Sequence, residues 1–133
     1  MKGKKILVID DDLTMLRLTE KMLQNDGYAV ILASKGQFGV DRAKAEKPDL
    51  ILLDVLIPDV NGVEAVNLLK SEEATRNIPI IFITVTLPVK DDKGDQTISI
   101  NGDSYRVFAK PLHSRKLLSV IRKEINKRIN KNT

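Results

Sequence analysis

Five polar side chains that could do chemistry lie at the ends of short apolar runs of the sequence: Asp10, Asp11, Asp54, Thr84 and Lys110. Taken one at a time, such residues usually cap a helix, complete a turn or face solvent. Together they bring three carboxylates, a hydroxyl and an ammonium group to the ends of four apolar runs. If these runs are strands of one parallel sheet, their carboxyl ends meet at the edge where ligands bind. The pattern therefore predicts one shared pocket.

The chemistry of such a pocket follows from its side chains. Three carboxylates repel one another, so they need a nearby cation to stay ionised. The chain has no cysteine and one histidine, so the ligands would be oxygen atoms, which favour Mg²⁺. Mg²⁺ usually binds one or two carboxylates together with phosphate oxygens. The pocket is thus suited to place a phosphoryl group on an aspartate, with Thr84 and Lys110 neutralising its oxygens.

The elements that must position these residues alternate along the chain. The predicted strands cover 5–9, 28–33, 50–53 and 78–83, and the helices between them cover 12–24, 36–46 and 62–70. The first helix has an apolar stripe of Leu13, Leu16, Met22 and Leu23, Gly27 ends it, and Pro48 closes the second helix. Strands that alternate with helices predict an α/β fold with a doubly wound parallel sheet.

The alternation breaks after Thr84, where another helix is due. Residues 89–95 are mostly charged and have almost no apolar face to bury. Residues 97–100 alternate in polarity, Asn101-Gly102 is a strong two-residue turn signal, and 104–108 are strand-like. We therefore expect a hairpin in place of the fourth helix, with its second arm running into the fifth parallel strand near Lys110.

The bulk composition is that of one globular domain, 1–133, ending in a basic helix over 113–133. Hydrophobic residues make up 42% of the chain, but no run of them is long enough to span a membrane. The lack of cysteine agrees with a cytoplasmic location. The net charge of +4 is unevenly distributed, because the last helix has seven Lys or Arg and one acid, Glu124, between Arg115 and Lys131. Its apolar stripe is Leu117, Leu118, Ile121, Ile125 and Ile129. A solvated outer face is the favoured interpretation, and nucleic-acid binding is not expected without a matching motif.

The sequence resembles the receiver domains of two-component signalling over essentially its whole length. The resemblance is carried by Ile6-Leu-Val-Ile-Asp-Asp-Asp12, Leu52-Leu-Asp-Val-Leu-Ile-Pro-Asp-Val-Asn-Gly62, Ile80-Ile-Phe-Ile-Thr84 and Lys110-Pro111. It implies a flavodoxin-like or CheY-like fold with five parallel strands in the order 2-1-3-4-5. It also implies a phosphorelay protein that catalyses only its own phosphorylation and dephosphorylation, with a histidine kinase or phosphotransfer protein as donor and an unknown protein as downstream target.

The resemblance also implies a role for each matching residue. Asp54 would be the phosphoryl acceptor, and Asp11, Asp54 and the main-chain carbonyl of Leu56 would bind Mg²⁺, with Asp10 acting largely through water. Thr84 and Lys110 would contact the phosphoryl group. Pro58, Gly62 and Pro111 would be structural, with the Lys110–Pro111 peptide bond in the cis form that proline permits.

Two departures from the family pattern bear on signalling. Val107 occupies a position that is usually aromatic, with Tyr105 and Phe108 beside it. We therefore expect the signal to run through Thr84 and residues 86–100. Leu56 and Thr86 lack charged or amide groups that could orient an attacking water, which predicts a long-lived acyl phosphate.

Other interpretations stay open at this point. Residues 6–14 also match the phosphatase motif of the haloacid dehalogenases, with Asp10 as nucleophile and Asp12 as acid and base, but the second acidic pair which that superfamily requires is missing after Lys110. A binding module that works without phosphorylation is a second alternative. The chain could also belong to a longer regulator, or form a homodimer through the hairpin or the last helix.

Overall fold

The computed structural model describes residues 3–84, 97–109 and 114–131, and in these ranges strands and helices alternate as far as β4. The elements in chain order are β1 Lys5–Ile9, α1 Leu13–Asn25, β2 Ala29–Ala33, α2 Gly36–Glu46, β3 Leu50–Asp54, α3 Gly62–Lys70, β4 Ile80–Thr84, β5 Thr97–Ile100, β6 Asp103–Ala109 and α4 Ser114–Lys131. No helix in the described ranges is long and apolar enough to cross a membrane.

The sheet has six strands in the order β2-β1-β3-β4-β6-β5. The five strands β2, β1, β3, β4 and β6 are parallel, which confirms the predicted α/β fold and strand order. β5 is antiparallel to β6 and forms the predicted hairpin with it. Asn101 and Gly102 have φ values of 54° and 86°, the left-handed conformation that a tight two-residue turn of this kind requires. The first arm of the hairpin therefore adds a sixth strand at the edge.

Side chains alternate between the two faces of the sheet, and each face packs against two helices. Leu7 and Ile9 belong to a core with α2 and α3, whereas Ile6 and Val8 belong to a core with α1 and α4. Every residue of β3 and β4 is buried. Strands covered on both faces consist almost entirely of apolar residues, which is why these two strands could be predicted from the sequence.

The ends of α1 follow local signals, although its apolar stripe is shorter than predicted. Asp12 is the N-cap and accepts hydrogen bonds from the N–H groups of Thr14 and Met15. Gly27, with a φ of 94°, donates from its N–H to the carbonyl of Gln24 just after the helix. The stripe prediction was wrong for Leu13, which is 66% exposed because it occupies the first turn, beyond the end of β1.

The last helix confirms most of its predicted stripe. Leu117, Ile121 and Ile125 are buried, and Leu118 is partly buried against the same core. Ile129, in the last turns, is 38% exposed and therefore lies outside the core. Two of its basic residues bond to the body of the domain, because Arg122 pairs with Asp26 and Arg128 donates to the carbonyl of Pro48.

Candidate functional site

Three aspartates come together at the carboxyl ends of β1 and β3. Oxygen atoms of Asp10, Asp11 and Asp54 lie within 4.8 Å of one another. The register explains this, because Ile9 of β1 pairs with Leu53 of β3, which sets the next residues of each strand side by side. Asp10 is fully buried, Asp54 is 5% exposed and Asp11 is exposed, so the cluster opens to solvent on the Asp11 side.

Main-chain groups hold the two buried carboxylates in place. An oxygen of Asp10 accepts a 3.0 Å hydrogen bond from the N–H of Asp12, and the N–H of Asp10 donates to the carbonyl of Ala33 at 3.0 Å. An oxygen of Asp54 accepts a 3.0 Å hydrogen bond from the N–H of Leu56. Such bonds fix the orientation of the carboxylate. The cluster is therefore preorganised by the backbone.

Thr84 lies beside this cluster on the neighbouring strand. It ends β4, is 5% exposed, and follows Ile83, the register partner of Asp54. On its other side Thr84 pairs with Ala109, the last residue of β6. Lys110 and Pro111 come next in the chain, but they lie outside the described residues, as do the predicted cis peptide bond and Thr86.

The loop after Asp54 contains the remaining predicted residues. Leu56 follows in a turn, its side chain 54% exposed and its N–H bound to Asp54. Pro58 lines a cavity of about 340 Å³ beside Asp11, lined also by Leu13, Ser34, Lys35 and Asp59. Gly62 begins α3, and a Cβ atom added there would lie 3.3 Å from the ring of Phe82. A side chain at this position would therefore crowd the ring of Phe82.

Asp59 is a residue of this loop that the sequence did not single out. Its carboxylate accepts hydrogen bonds from the N–H groups of Gly36 at 2.8 Å and Gln37 at 3.1 Å. Lys35, the N-cap residue of α2, makes no capping bond, so Asp59 caps the helix from a different loop. These two N–H groups lower the pKa of Asp59 below its usual value. No local signal could reveal this cap, because its partners are 23 and 22 residues away.

Two further observations bear on the alternatives. The carboxylate of Asp12 caps α1 and is not one of the three clustered carboxylates, so it does not occupy the place an acid and base for Asp10 would need. At the position where the family usually has an aromatic residue, Val107 is buried and pairs with Phe82. The nearby aromatic contact comes from Tyr105, whose ring meets Phe82 edge-on at 5.6 Å and 86°.

The clustered groups suit a hard divalent cation. Their donors are all oxygen atoms, they lie within the span of one ion, and main-chain hydrogen bonds hold the two buried carboxylates. Without a cation, three carboxylates so close together would repel one another.

Residues 6–122 match the protein family described as the response regulator receiver domain, so the chain belongs to that family and is a receiver module of two-component signalling. It is 33% identical over 115 residues to the alkaline phosphatase synthesis transcriptional regulatory protein PhoP of Bacillus subtilis, covering 86% of this chain and 45% of PhoP. It is 32% identical over 117 residues to protein PilH of Pseudomonas aeruginosa, covering 88% and 93% of the two chains. The chain therefore spans less than half of PhoP but nearly all of PilH.

A solved structure supports the same assignment. The receiver domain of a sensor histidine kinase from Pseudomonas aeruginosa PAO1 superposes with a TM-score of 0.77 at 27% identity, covering 93% of this chain and 98% of that one. That structure has a magnesium ion coordinated in its active-site cleft.

Proposed function

We propose that this receiver accepts a phosphoryl group on Asp54 in a Mg²⁺-dependent reaction and thereby changes its binding to a downstream protein. The observation that carries the proposal is the group of three carboxylates within 4.8 Å at the ends of β1 and β3, with Asp54 buried among them. Membership of the receiver family and the magnesium ion in the cleft of the related kinase receiver support it.

The reaction uses the carboxylate of Asp54 as nucleophile. One of its oxygens attacks the phosphorus of a phosphohistidine on a histidine kinase or phosphotransfer protein, and the P–N bond breaks with its electron pair passing to the imidazole. The N–H of Leu56 orients the carboxylate through its 3.0 Å hydrogen bond. Thr84 and Lys110 are assigned to the oxygens of the transferred group.

Asp10, Asp11, Asp54 and the carbonyl of Leu56 would hold the ion. A bound Mg²⁺ neutralises charge on the phosphoryl oxygens and on the carboxylates. Asp11 is the exposed member of the cluster, so the ion would enter from its side.

The same proposal extends to the location of the protein, the lifetime of its acyl phosphate and the segment that transmits its signal. We place the protein in the cytoplasm as one domain over 1–133, with Pro58, Gly62 and Pro111 shaping the loops around the site. Because Leu56 presents an aliphatic side chain that is 54% exposed beside Asp54, it cannot orient a water molecule, which supports a long-lived acyl phosphate. Output runs through Thr84 and residues 86–100, of which 97–100 form β5.

The test is intact mass spectrometry after incubation with Mg²⁺ and acetyl phosphate, which supplies the phosphoryl group without a kinase. We expect the mass of one phosphoryl group on the wild type, none on Asp54→Asn, and none when EDTA removes the Mg²⁺. Asp59→Asn is the matched control, because it makes the same chemical change outside the cluster and should still be labelled.

Two results would contradict the proposal. Labelling of Asp54→Asn to the wild-type extent would place the acceptor elsewhere. No labelling of any variant by acetyl phosphate or by phosphorylated kinases would favour a receiver that binds its partner without phosphorylation.

A further inference from the structure

A second cavity lies at the opposite end of the sheet from Asp54. It has a volume of about 450 Å³ and is lined, among the described residues, by Lys70, Pro79, Ile80, Thr97, Ser104, Tyr105, Arg106, Glu124 and Lys127. We call it the basal cavity. Its volume is within the range of about 300–1,000 Å³ that is typical of sites for small molecules.

The basal cavity lies where two strands change partners. β4 pairs with β6 only from Phe82 and Val107 onward, towards the Asp54 end. The earlier residues of β6, from Asp103 to Arg106, pair with β5 instead. The first residue of β4, Ile80, therefore faces the cavity rather than continuing the ladder with β6. The opening follows from the hairpin that distinguishes this chain.

The lining of the basal cavity is cationic. Lys70, Arg106 and Lys127 contribute three positive charges, whereas Glu124 contributes the one carboxylate of the described lining. Glu124 lies 3.5 Å from Arg106 and 3.7 Å from Lys127, so it is shared between two cations. The carboxylate of Asp103 acts to raise the pKa of Lys70, but it does not line the cavity. Among the described lining residues the cations outnumber the carboxylate, which favours an anion.

Lys70 is the most constrained of these cations. Its ammonium donates to the carbonyl of Arg76 at 2.7 Å and lies 6.0 Å from the centre of the Tyr105 ring. An ammonium has three N–H donors, and the hydrogen bonds within the described residues use one of them. Burial lowers the pKa of Lys70, which indicates that the charge is short of solvation. An anion in the cavity would replace part of the solvation that the ammonium lacks.

We propose that the basal cavity binds a small organic phosphate, a phosphomonoester with an apolar or aromatic organic part. Lys70, Arg106 and Lys127 supply positive charge around the cavity, and Thr97 and Ser104 supply hydroxyl groups, which are the kinds of group that bind phosphate oxygens. Pro79 and Ile80 supply an apolar wall for the organic part, and the volume exceeds what a bare phosphate would fill. This inference does not depend on phosphorylation of Asp54.

The test is a titration followed by NMR amide shifts, with phenyl phosphate as probe in EDTA, so that no Mg²⁺ recruits it to the aspartates. We expect shifts at Thr97, Ser104, Arg106 and Lys127, and tighter binding than inorganic phosphate or phenol alone. Lys70→Met and Lys127→Gln should each weaken binding about tenfold, because each removes a charge-assisted contact.

The two variants differ in how strongly they disturb the fold, so the test does not depend on one variant alone. Lys127 is 69% exposed, so Lys127→Gln should fold even if Lys70→Met does not. Lys21→Met on the exposed face of α1 is the matched control and should bind as the wild type does. All three variants should still accept a phosphoryl group from acetyl phosphate if the wild type does.

Three results would overturn the inference. One is the absence of shifts with phenyl phosphate, and another is equally tight binding of inorganic phosphate, which would show attraction to charge alone. The third is shifts spread over the outer face of α4, for example at Arg122 and Lys123, instead of the cavity.

Discussion

The central strands and the hairpin belong to one sheet, but different forces build them. Each residue of β3 and β4 is buried between helices, whereas in β5 only Ile100 is buried. The hairpin depends on the turn at Asn101-Gly102 and on its contacts with α3. The buried centre holds the aspartate cluster, and the hairpin edge is where the sequence departs from the pattern expected from the receiver resemblance.

The largest expected loss of stability comes from removing the ring of Phe82, which joins the two regions. Phe82 is fully buried and contacts both Tyr105 and the start of α3, so Phe82→Ala should lower the free energy of unfolding by about 3–5 kcal/mol. Ile98→Ala in the hairpin, which removes a partly buried side chain, should cost about 1–2 kcal/mol. Urea unfolding followed by circular dichroism measures both. Equal losses would show that the hairpin is as strongly packed as the centre.

Two glycines give the next comparison. A Cβ atom at Gly39 would lie 2.5 Å from the side chain of Ile9, so Gly39→Ala should force α2 away from β1 and cost about 2–3 kcal/mol. At Gly102 there is space, but the φ of 86° disfavours a side chain, so Gly102→Ala should cost about 1 kcal/mol. Thermal unfolding would rank the two variants. A reversed order would mean that the turn, rather than the central packing, limits stability.

A smaller effect is expected from pH, and the two regions respond in different pH ranges. Because the folded protein lowers the pKa of Asp59 from 3.8, its contribution to stability is present above that pH and is lost as the pH falls through the folded value. Asp59→Asn should therefore lose less stability than the wild type between pH 5 and about pH 2, by a few tenths of a molar in the urea midpoint. Identical acid profiles would contradict this.

Lys70, beside the hairpin, changes the stability in the alkaline range instead. Its pKa is lowered from 10.5 by burial, so the unfolded chain binds the proton more tightly than the folded one. Its contribution to stability therefore rises as the pH rises from the folded pKa towards 10.5. Lys70→Met should remove this dependence at alkaline pH and leave the acid profile of the wild type unchanged.

The smallest effect is expected at the link between the hairpin and α3. The side chain of Asn101 donates a 2.6 Å hydrogen bond to Asn67, and both residues are exposed. Asn67→Ala should cost about 0.5 kcal/mol and speed hydrogen exchange in the hairpin more than in β3. Asn77→Ala, another exposed asparagine, is the control and should change neither quantity. Faster exchange in β3 would mean that the two regions open together.

The fold was largely predictable because its signals are local. The buried runs before Asp10, Asp54 and Thr84 directly predicted strands, and Asn101-Gly102 predicted a hairpin turn. The exposure of Leu13 was not predictable, because periodicity assigns a residue to a stripe without saying where the neighbouring strand ends.

For the candidate site, residue types along the chain determined which groups are available, and the parallel sheet predicted from the alternation of strands and helices brought three of them to one edge. Tertiary structure alone decided the remaining contacts. The cap that Asp59 gives α2, the edge-on contact of Tyr105 with Phe82 and the basal cavity beside Lys70 each join residues more than 20 positions apart. The physical reason is that such contacts depend on how strands diverge and loops meet in space, which no local pattern of residues records.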